Sequence, residues 1–371
     1  MKTAAMKIEK KKILFTGPKE FDSKNLNYAF YTEYPEAGIF LKQECNGSLS
    51  EKDWAEVQIK IGQVINTEFL GVANNKGSVQ RILDYGNRMS GFFKEIQARQ
   101  FSVCVCYPGL LIGTGYPHIT KQIKGEIQAG TLFDWTTGAP YYSGSSVKGV
   151  LRHLFKVASG KSVEAEECRK ELSERINRVS PGFNQILTRE DCRHLERVIF
   201  ENAGVTGTKP NIFYDAYIVG FRKNSGYKNR ILGMDSLAPH KDILKDPNPI
   251  SMLRILPDVC MTFSMRLRDV NDRGGNTLLT SEQLLALFKN IILDLGFGAK
   301  THTGYGVVKE IKETDIDYVD AQVDVKRSRA VQLEETEKEP EYAQKEPSGE
   351  PVLPDFRSQL PKQRENKRLR S

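Results

Sequence analysis

Residues 261–311 read MTFSMRLRDVNDRGGNTLLTSEQLLALFKNIILDLGFGAKTHTGYGVVKEI and contain the clearest secondary-structure pattern of the chain. Apolar and polar residues alternate over 261–267, which predicts a strand with one buried face and one polar, partly basic face. Thr280 and Gln283 have the spacing of a capping box, and the apolar residues that follow recur at helical intervals, so a helix is expected next. A glycine-rich loop and a last strand over 305–311 complete the segment.

Three earlier segments have the same two periodicities. Residues 101–107 predict a strand, 145–155 a helix with an apolar stripe, and 212–219 a second strand. The full order is therefore strand, helix, strand, strand, helix, strand, which is typical of a ferredoxin-like sheet. We expect an α+β fold with a ferredoxin-like (RRM-like) core and long insertions, whose four-stranded sheet is a common RNA platform.

The composition divides the chain into three regions. Residues 1–100 are expected to form a mixed, partly helical region packed on the core. Residues 101–320 contain the ferredoxin-like domain with its insertions. Residues 321–371 are rich in charge and proline, which predicts a disordered tail, because such a segment buries too little apolar surface to fold.

Charge and cysteine content narrow the class of protein. The net charge of +7 permits binding of a polyanion, and 39% apolar residues are typical of a globular protein. No apolar run is long enough to cross a membrane and no signal-peptide pattern is found near Met1, so a cytoplasmic protein is expected. The six cysteines form no CxxC pair, which favours reduced packing thiols over metal ligands or disulfides. We expect no metal and no cofactor.

The loop from Gly296 to Gly306 contains two GxG pairs around a lysine and a histidine. Glycines let the backbone adopt positive φ, and the N–H groups of such turns can bind anions. The alternative is a helix C-cap at Gly296 followed by an ordinary loop. The two GxG pairs favour RNA contact, and the candidate contact residues are Gly298, Lys300, Thr301, His302 and Tyr305.

The segment from Gly138 to Arg152 is the second candidate. Ser145 or Ser146 can cap the following helix, whose N-terminus favours a phosphate. Lys148 and Arg152 are four residues apart and share one face of that helix. Glycine follows the lysine where a Walker A loop needs Ser or Thr, so nucleotide hydrolysis is not expected. A capped surface helix with solvated basic residues is the alternative.

Several segments together resemble one known family. They are Gly113-Thr-Gly-Tyr-Pro-His118, Pro140-Tyr-Tyr-Ser-Gly-Ser-Ser-Val-Lys-Gly-Val-Leu-Arg152, Phe213-Tyr-Asp-Ala-Tyr217, Met234-Asp-Ser-Leu-Ala-Pro-His240 with Asn248-Pro-Ile250, and the loop Gly296 to Gly306. Over roughly residues 100 to 312 the chain resembles the repeat-associated mysterious protein (RAMP) superfamily. More narrowly, it is similar to the sixth subunits of Cmr effector complexes from type III-B CRISPR systems.

The resemblance implies a ferredoxin-like subunit related to the backbone subunits of CRISPR effector complexes. Such a subunit contacts guide CRISPR RNA near its 3′ end, caps the filament and binds other Cmr subunits, whereas contact with target RNA stays open. By motif, the guide-contacting positions become the helix start at 145–152 and the loop at 298–306. The insertion 221–230 is a further candidate for RNA or subunit contact, or a solvated loop, through Arg222, Lys223, Lys228 and Arg230 around Tyr227.

An enzyme is the rival prediction, because related proteins include metal-independent ribonucleases that process guide precursors. The candidate acid–base residues are His118, His153 and His302. General acid–base catalysis needs two groups at one ribose hydroxyl and its leaving oxygen, and no spacing in this sequence brings two together. We therefore predict RNA binding, with no catalytic residue assigned.

Overall fold

A mixed α/β arrangement with a central antiparallel sheet organises the chain. The structure is a computed structural model, and it describes residues 5–9, 12–16, 24–35, 37, 51–112, 125–129, 131–203, 210–227, 230–237 and 250–317. The tail predicted at 321–371 lies outside these residues.

The strands are β1 (Ala5–Glu9), β2 (Lys12–Thr16), β3 (Arg99–Val105), β4 (Ile127–Ala129), β5 (Leu132–Phe133), β6 (Pro140–Tyr142), β7 (Ile212–Phe213), β8 (Ala216–Arg222), β9 (Leu232–Leu237), β10 (Ile250–Ile255), β11 (Val259–Arg266), β12 (Val270–Asn271), β13 (Thr277–Leu279), β14 (Val308–Glu310) and β15 (Ile316–Asp317). The longer helices are α1 (Glu51–Ala73), α2 (Lys76–Glu95), α3 (Gly144–Ala158), α4 (Val163–Val179), α5 (Arg189–Phe200) and α6 (Ser281–Leu295). Short helical turns at Leu26–Tyr28 and Ala29–Glu33 precede α1, and short 3₁₀ turns lie at Thr301–Thr303 and Glu313–Asp315. Among the described residues, no helix has the length and apolarity of a membrane span.

The six predicted elements are confirmed in their predicted order as β3, α3, β8, β11, α6 and β14. Their strands lie in the spatial order β14-β3-β11-β8, and each neighbouring pair is antiparallel. β6 and β5 extend the sheet beyond β8. The strand predicted at 212–219 is divided into β7 and β8.

The predicted insertions contain further elements. The stretch between α3 and β7 forms α4 and α5, which both pack on α3. The stretch between β8 and β11 forms β9 and β10, which pair antiparallel, with Leu232 opposite Ile255. β4 pairs parallel with β10, so these three strands make a small second sheet.

One face of the central sheet carries the large apolar core. Phe101 of β3 and Phe263 of β11 stack there with ring centroids 5.2 Å apart. The apolar faces of α3 and α6 contribute to the same core, and the capping box of Thr280 and Gln283 opens α6 as the sequence predicted. Fully burying one side chain of this size stabilises the fold by about 1.5–3 kcal/mol.

The opposite face, predicted to be polar and partly basic along β11, is covered instead. α2 lies so close to β8 that a Cβ on Gly86 would stand 1.9 Å from the carbonyl oxygen of Ile218. Asn87 donates to the carbonyl of Val219, and Gln100 donates to Ser264 Oγ at 2.9 Å. Polar groups of this face therefore make hydrogen bonds inside the protein, and α2 covers the part of the sheet that was predicted to be open to RNA.

A C-terminal strap, residues 311–317, covers the end of the same face. Ile316 packs with Val219, Cys104 and Cys260. The structure joins these two cysteines in a disulfide between β3 and β11, which corrects the prediction of packing thiols. They are 156 residues apart in sequence and become opposite partners only through strand register, which local spacing does not reveal.

Candidate functional site

The glycine loop, residues 296–306, begins where α6 ends and depends on left-handed backbone at several positions. Gly296 has φ +68 and its N–H donates to the carbonyl of Ile292. A Cβ on Gly298 would lie 2.4 Å from the carbonyl oxygen of Leu111, and one on Gly306 would lie 1.8 Å from that of Phe297. Glycine is therefore required at both positions by close backbone approach as well as by positive φ.

The loop uses much of its own backbone hydrogen bonding to hold its shape. The N–H of Ala299 donates to Leu111 at 2.6 Å, and that of Gly306 donates to Gly109 at 2.9 Å. Two further N–H groups close the 3₁₀ turn inside the loop. Most of the N–H groups predicted to bind an anion therefore already donate to carbonyl oxygens within the protein. The side chains of Lys300 and His302 are exposed and Thr301 is partly exposed, so side chains carry the loop's capacity for binding.

Tyr305 supports the loop from inside. Its ring is only 6% exposed, and its hydroxyl donates to Asp235 Oδ2 at 2.5 Å. Burial, together with the adjacent carboxylate, raises the pKa of Tyr305 to about 12, so the phenol stays a donor at neutral pH. Arg254 lies 3.1 Å from the same carboxylate oxygen. This conformation gives Tyr305 no open face for a base, and sequence reasoning missed Asp235 and Arg254 because they lie on β9 and β10.

The start of α3 differs from its prediction. Ser143, rather than Ser145 or Ser146, is the N-cap, and its hydroxyl accepts from the N–H of Ser146. Asp215 Oδ1 accepts from the N–H of Gly144 at 2.7 Å. A carboxylate from the β7–β8 connection therefore already occupies part of the position predicted for a phosphate. The side chain of Ser145 is exposed.

Tyr142 brings the glycine loop and the start of α3 together. Its ring packs against Phe297, with centroids 4.9 Å apart and an interplanar angle of 59°. Burial raises the pKa of Tyr142, which keeps this buried contact neutral. Among the described residues, no ion pair involves Lys148 of α3 or Lys300 of the loop. The two segments that Tyr142 joins therefore each carry a lysine that forms no ion pair among the described residues.

Arg152 pairs with two carboxylates inside the protein. Its Nε lies 2.8 Å from Glu196 Oε1 and its Nη2 lies 2.5 Å from Glu201 Oε1. The hydrogen bond to Glu196 contributes most to a raised pKa of Arg152. Both carboxylates belong to α5 or its C-cap, so Arg152 ties α3 to α5.

The 221–230 candidates lie where β8 ends and β11 begins. Arg222 Nε pairs with Asp258 Oδ1 at 2.8 Å. Lys223 is exposed, and its N–H donates to the carbonyl of Asp315. Arg230 is partly exposed, whereas Lys228 lies outside the described residues. The N–H of Asp258 donates to Val105, which pairs with Val308 after the glycine loop, so this group shares one end of the sheet with that loop.

The described histidines do not gather at one point. His153 and His302 are exposed, and the Nε2 of His194 lies 3.2 Å from the carbonyl oxygen of Asn271. His118 and His240 lie outside the described residues, as do most of the family-like segments around them. The described residues contain no group of three side chains that could hold a metal ion. In the described part of the site, the available chemistry is cationic and hydrogen-bonding.

Several solved structures are similar to this chain, each with a TM-score below 0.5. No curated protein matches the sequence. A chain of the type III-B Cmr-β complex bound to cognate target RNA is similar, with 17% identity, a TM-score of 0.47, and coverage of 78% of this chain and 92% of that chain. Cmr6 from Pyrococcus furiosus has 22% identity, a TM-score of 0.33, and coverage of 58% and 98%. A chain of a type IV-B CRISPR complex has 11% identity, a TM-score of 0.33, and coverage of 61% and 96%.

The sequence model of the RAMP superfamily matches residues 105–309, which is more than half of the chain. The matched range begins at the end of β3 and ends in β14, so it encloses the helix start at α3 and the glycine loop. The chain belongs to the RAMP superfamily.

Proposed function

We propose that this protein is an RNA-binding structural subunit of a type III-B CRISPR (Cmr) interference complex. The observation that carries the proposal is the ring contact of Tyr142 with Phe297, which places the segments that contain Lys148 and Lys300 next to each other. Both segments are ones that the family resemblance assigns to guide RNA. Cations without carboxylate partners suit a phosphate backbone, because their charge is available to it.

We propose further that the core is ferredoxin-like and that the subunit takes the sixth Cmr position. The spatial order β14-β3-β11-β8 corresponds to 4-1-3-2 among the four core strands, which supports the ferredoxin-like assignment. In that position the subunit contacts guide RNA near its 3′ end, caps the backbone filament, and works in the cytoplasm in antiviral defence. Its partners are guide CRISPR RNA and other Cmr subunits, with target RNA as a possible additional contact.

In this proposal, the N-terminal region and the insertions complete the core. α2 covers the second face of the sheet and leaves RNA contact to the loops at its margin. Recognition then depends on backbone phosphates and exposed donors, which carry no sequence information. Such a subunit holds guides of any sequence, as an RNA-guided complex requires.

A charge-matched pair of double variants tests the proposal. The double variant Lys148→Gln, Lys300→Gln removes two cations from the site. The control, Lys161→Gln, Lys170→Gln, removes two exposed cations elsewhere, one just before α4 and one within it. Binding of a labelled single-stranded RNA is measured by anisotropy at several salt concentrations. The site variant should bind more weakly, and its salt slope should fall by about 1.4, because each phosphate contact contributes about 0.7. Equal affinities and slopes for the two variants would contradict the proposal.

The endoribonuclease is the alternative, favoured only by the exposed imidazole of His302 beside Lys300. Incubation of the purified protein with labelled repeat RNA in EDTA separates the two functions. Defined cleavage that His302→Ala abolishes would support the enzyme. Binding without cleavage, equal in the native chain and in His302→Ala, is the result expected for a structural subunit.

A further inference from the structure

Trp135 stands on the turn between β5 and β6, and 68% of its surface is exposed. A tryptophan rarely presents so much of its ring to water, because that ring carries a large apolar surface. The turn belongs neither to the glycine loop nor to the start of α3, so the function proposed above leaves this ring unexplained.

The turn around Trp135 is held from both sides. Asp134 Oδ1 accepts from the N–H groups of Thr136 and Thr137 at 3.0 and 2.7 Å, and the N–H of Gly138 donates to the carbonyl of Asp134 at 2.8 Å. From the N-terminal region, Asn25 Nδ2 donates to the carbonyls of Trp135 and Thr136 at 3.0 and 3.2 Å. The main chain that presents the ring is thus fixed before any partner arrives, which lowers the entropic cost of binding.

Aromatic and cationic side chains surround this turn. The ring of Tyr31 lies nearly parallel to that of Trp135, with an interplanar angle of 22° and centroids 6.4 Å apart. Tyr28, on the same helical segment as Tyr31, is 51% exposed. Lys24 is exposed directly before Asn25, and the exposed Arg81 donates through Nη2 to the carbonyl of Lys24 at 3.1 Å. Flat rings and two cations therefore share one small surface.

We infer that Trp135 is a stacking platform for a base of single-stranded RNA, with Lys24 and Arg81 beside the adjoining phosphates. A single strand offers alternating base faces and phosphates, which is the complement of exposed rings flanked by cations. Asp134, the residue before Trp135, accepts hydrogen bonds at Oδ1 from the N–H groups of Thr136 and Thr137, and these donors offset part of its negative charge. The inference rests on the proposed RNA-binding function and adds a second contact on different elements.

Tryptophan fluorescence tests the stacking directly. The chain contains two tryptophans, so Trp54→Phe leaves Trp135 as the single tryptophan reporter. A uridine oligomer is titrated into the full-length Trp54→Phe protein, and anisotropy of the same oligomer with a fluorescent label reports binding independently. Stacking should quench the emission of Trp135 over the concentration range in which the anisotropy rises.

Three variants complete the test. Trp135→Ala should weaken binding about 5- to 150-fold, the range for loss of one base–aromatic stack, while Trp135→Phe should keep most of the affinity. Phe92→Ala, which removes a half-exposed ring from α2, should leave affinity unchanged. Binding without quenching, or native affinity in Trp135→Ala, overturns the inference but leaves the proposed function intact. If Trp135→Ala loses a protein partner while its RNA binding is unaltered, the inference is also overturned. If the native chain binds no RNA, both the inference and the proposed function are overturned.

Discussion

The same strands form both faces of the central sheet, but the side chains and the helices that cover them differ between the two faces. On the core face, Phe101 and Phe263 stack beneath helices α3 and α6. On the second face, the hydroxyls of Ser102 and Thr262 lie 2.8 Å apart beneath α2 and the strap, and Ser264 accepts from Gln100. Alternation of apolar and polar residues therefore predicts a strand correctly, but it does not show that the polar face of the strand is exposed to solvent. A polar face can be buried when its cover supplies hydrogen-bond partners.

The largest expected effect is on the core face. Phe263 is fully buried, stacks on Phe101 and meets Phe297 edge-on with centroids 5.1 Å apart. Phe263→Ala should lower the free energy of unfolding by about 3–5 kcal/mol, because it removes a large apolar side chain and leaves a cavity. Urea unfolding measures the change, with Val163→Ala on the exposed surface as a control expected to stay within about 0.5 kcal/mol. A small loss for Phe263→Ala would mean that the core face is loosely packed.

Local patterns predicted the elements of the core face well. The helix α6 has the predicted capping box of Thr280 and Gln283, because the signal and the structure it produces lie within four residues. The core strands were also found, although their ends differ by a few residues. These features depend on side-chain periodicity, which a sequence displays directly.

The second face and the details of the site depend on long-range contacts. Nothing near Ser145 indicates that Asp215, 71 residues from Gly144, holds the N–H of that glycine. Tyr305 looked like an available ring because Asp235, its partner, is 70 residues away. The glycine pattern did predict a close backbone approach. It could not reveal that N–H groups of the loop donate to the carbonyl oxygens of Leu111 and Gly109.

The next effect tests whether α2 is bound to the second face as closely as the structure indicates. Gly86→Ala puts a methyl group 1.9 Å from a backbone oxygen that has little freedom to move, so α2 must shift. We expect a loss of about 2 kcal/mol, since overpacking outweighs the helix propensity that alanine adds. Gly91→Ala, in the same helix with nothing within 4 Å of its new Cβ, should instead stabilise the protein by up to about 1 kcal/mol. Equal signs for the two variants in thermal unfolding would contradict a tight contact at Gly86.

The smallest expected effect concerns the hydroxyl pair of Ser102 and Thr262. Both side chains are buried, so Thr262→Val should leave the Ser102 hydroxyl without its partner and cost about 1 kcal/mol. Ser102→Ala in the same chain removes the abandoned hydroxyl, and the double variant should therefore lose less than the sum of the two single variants. Measured by urea unfolding, a coupling of about 1 kcal/mol indicates a dry polar layer, in which each group depends on the other. Strict additivity would indicate that water reaches both hydroxyls. The second face would then be a solvated surface that α2 only shields, and the difference between the two faces would be one of accessibility rather than of packing.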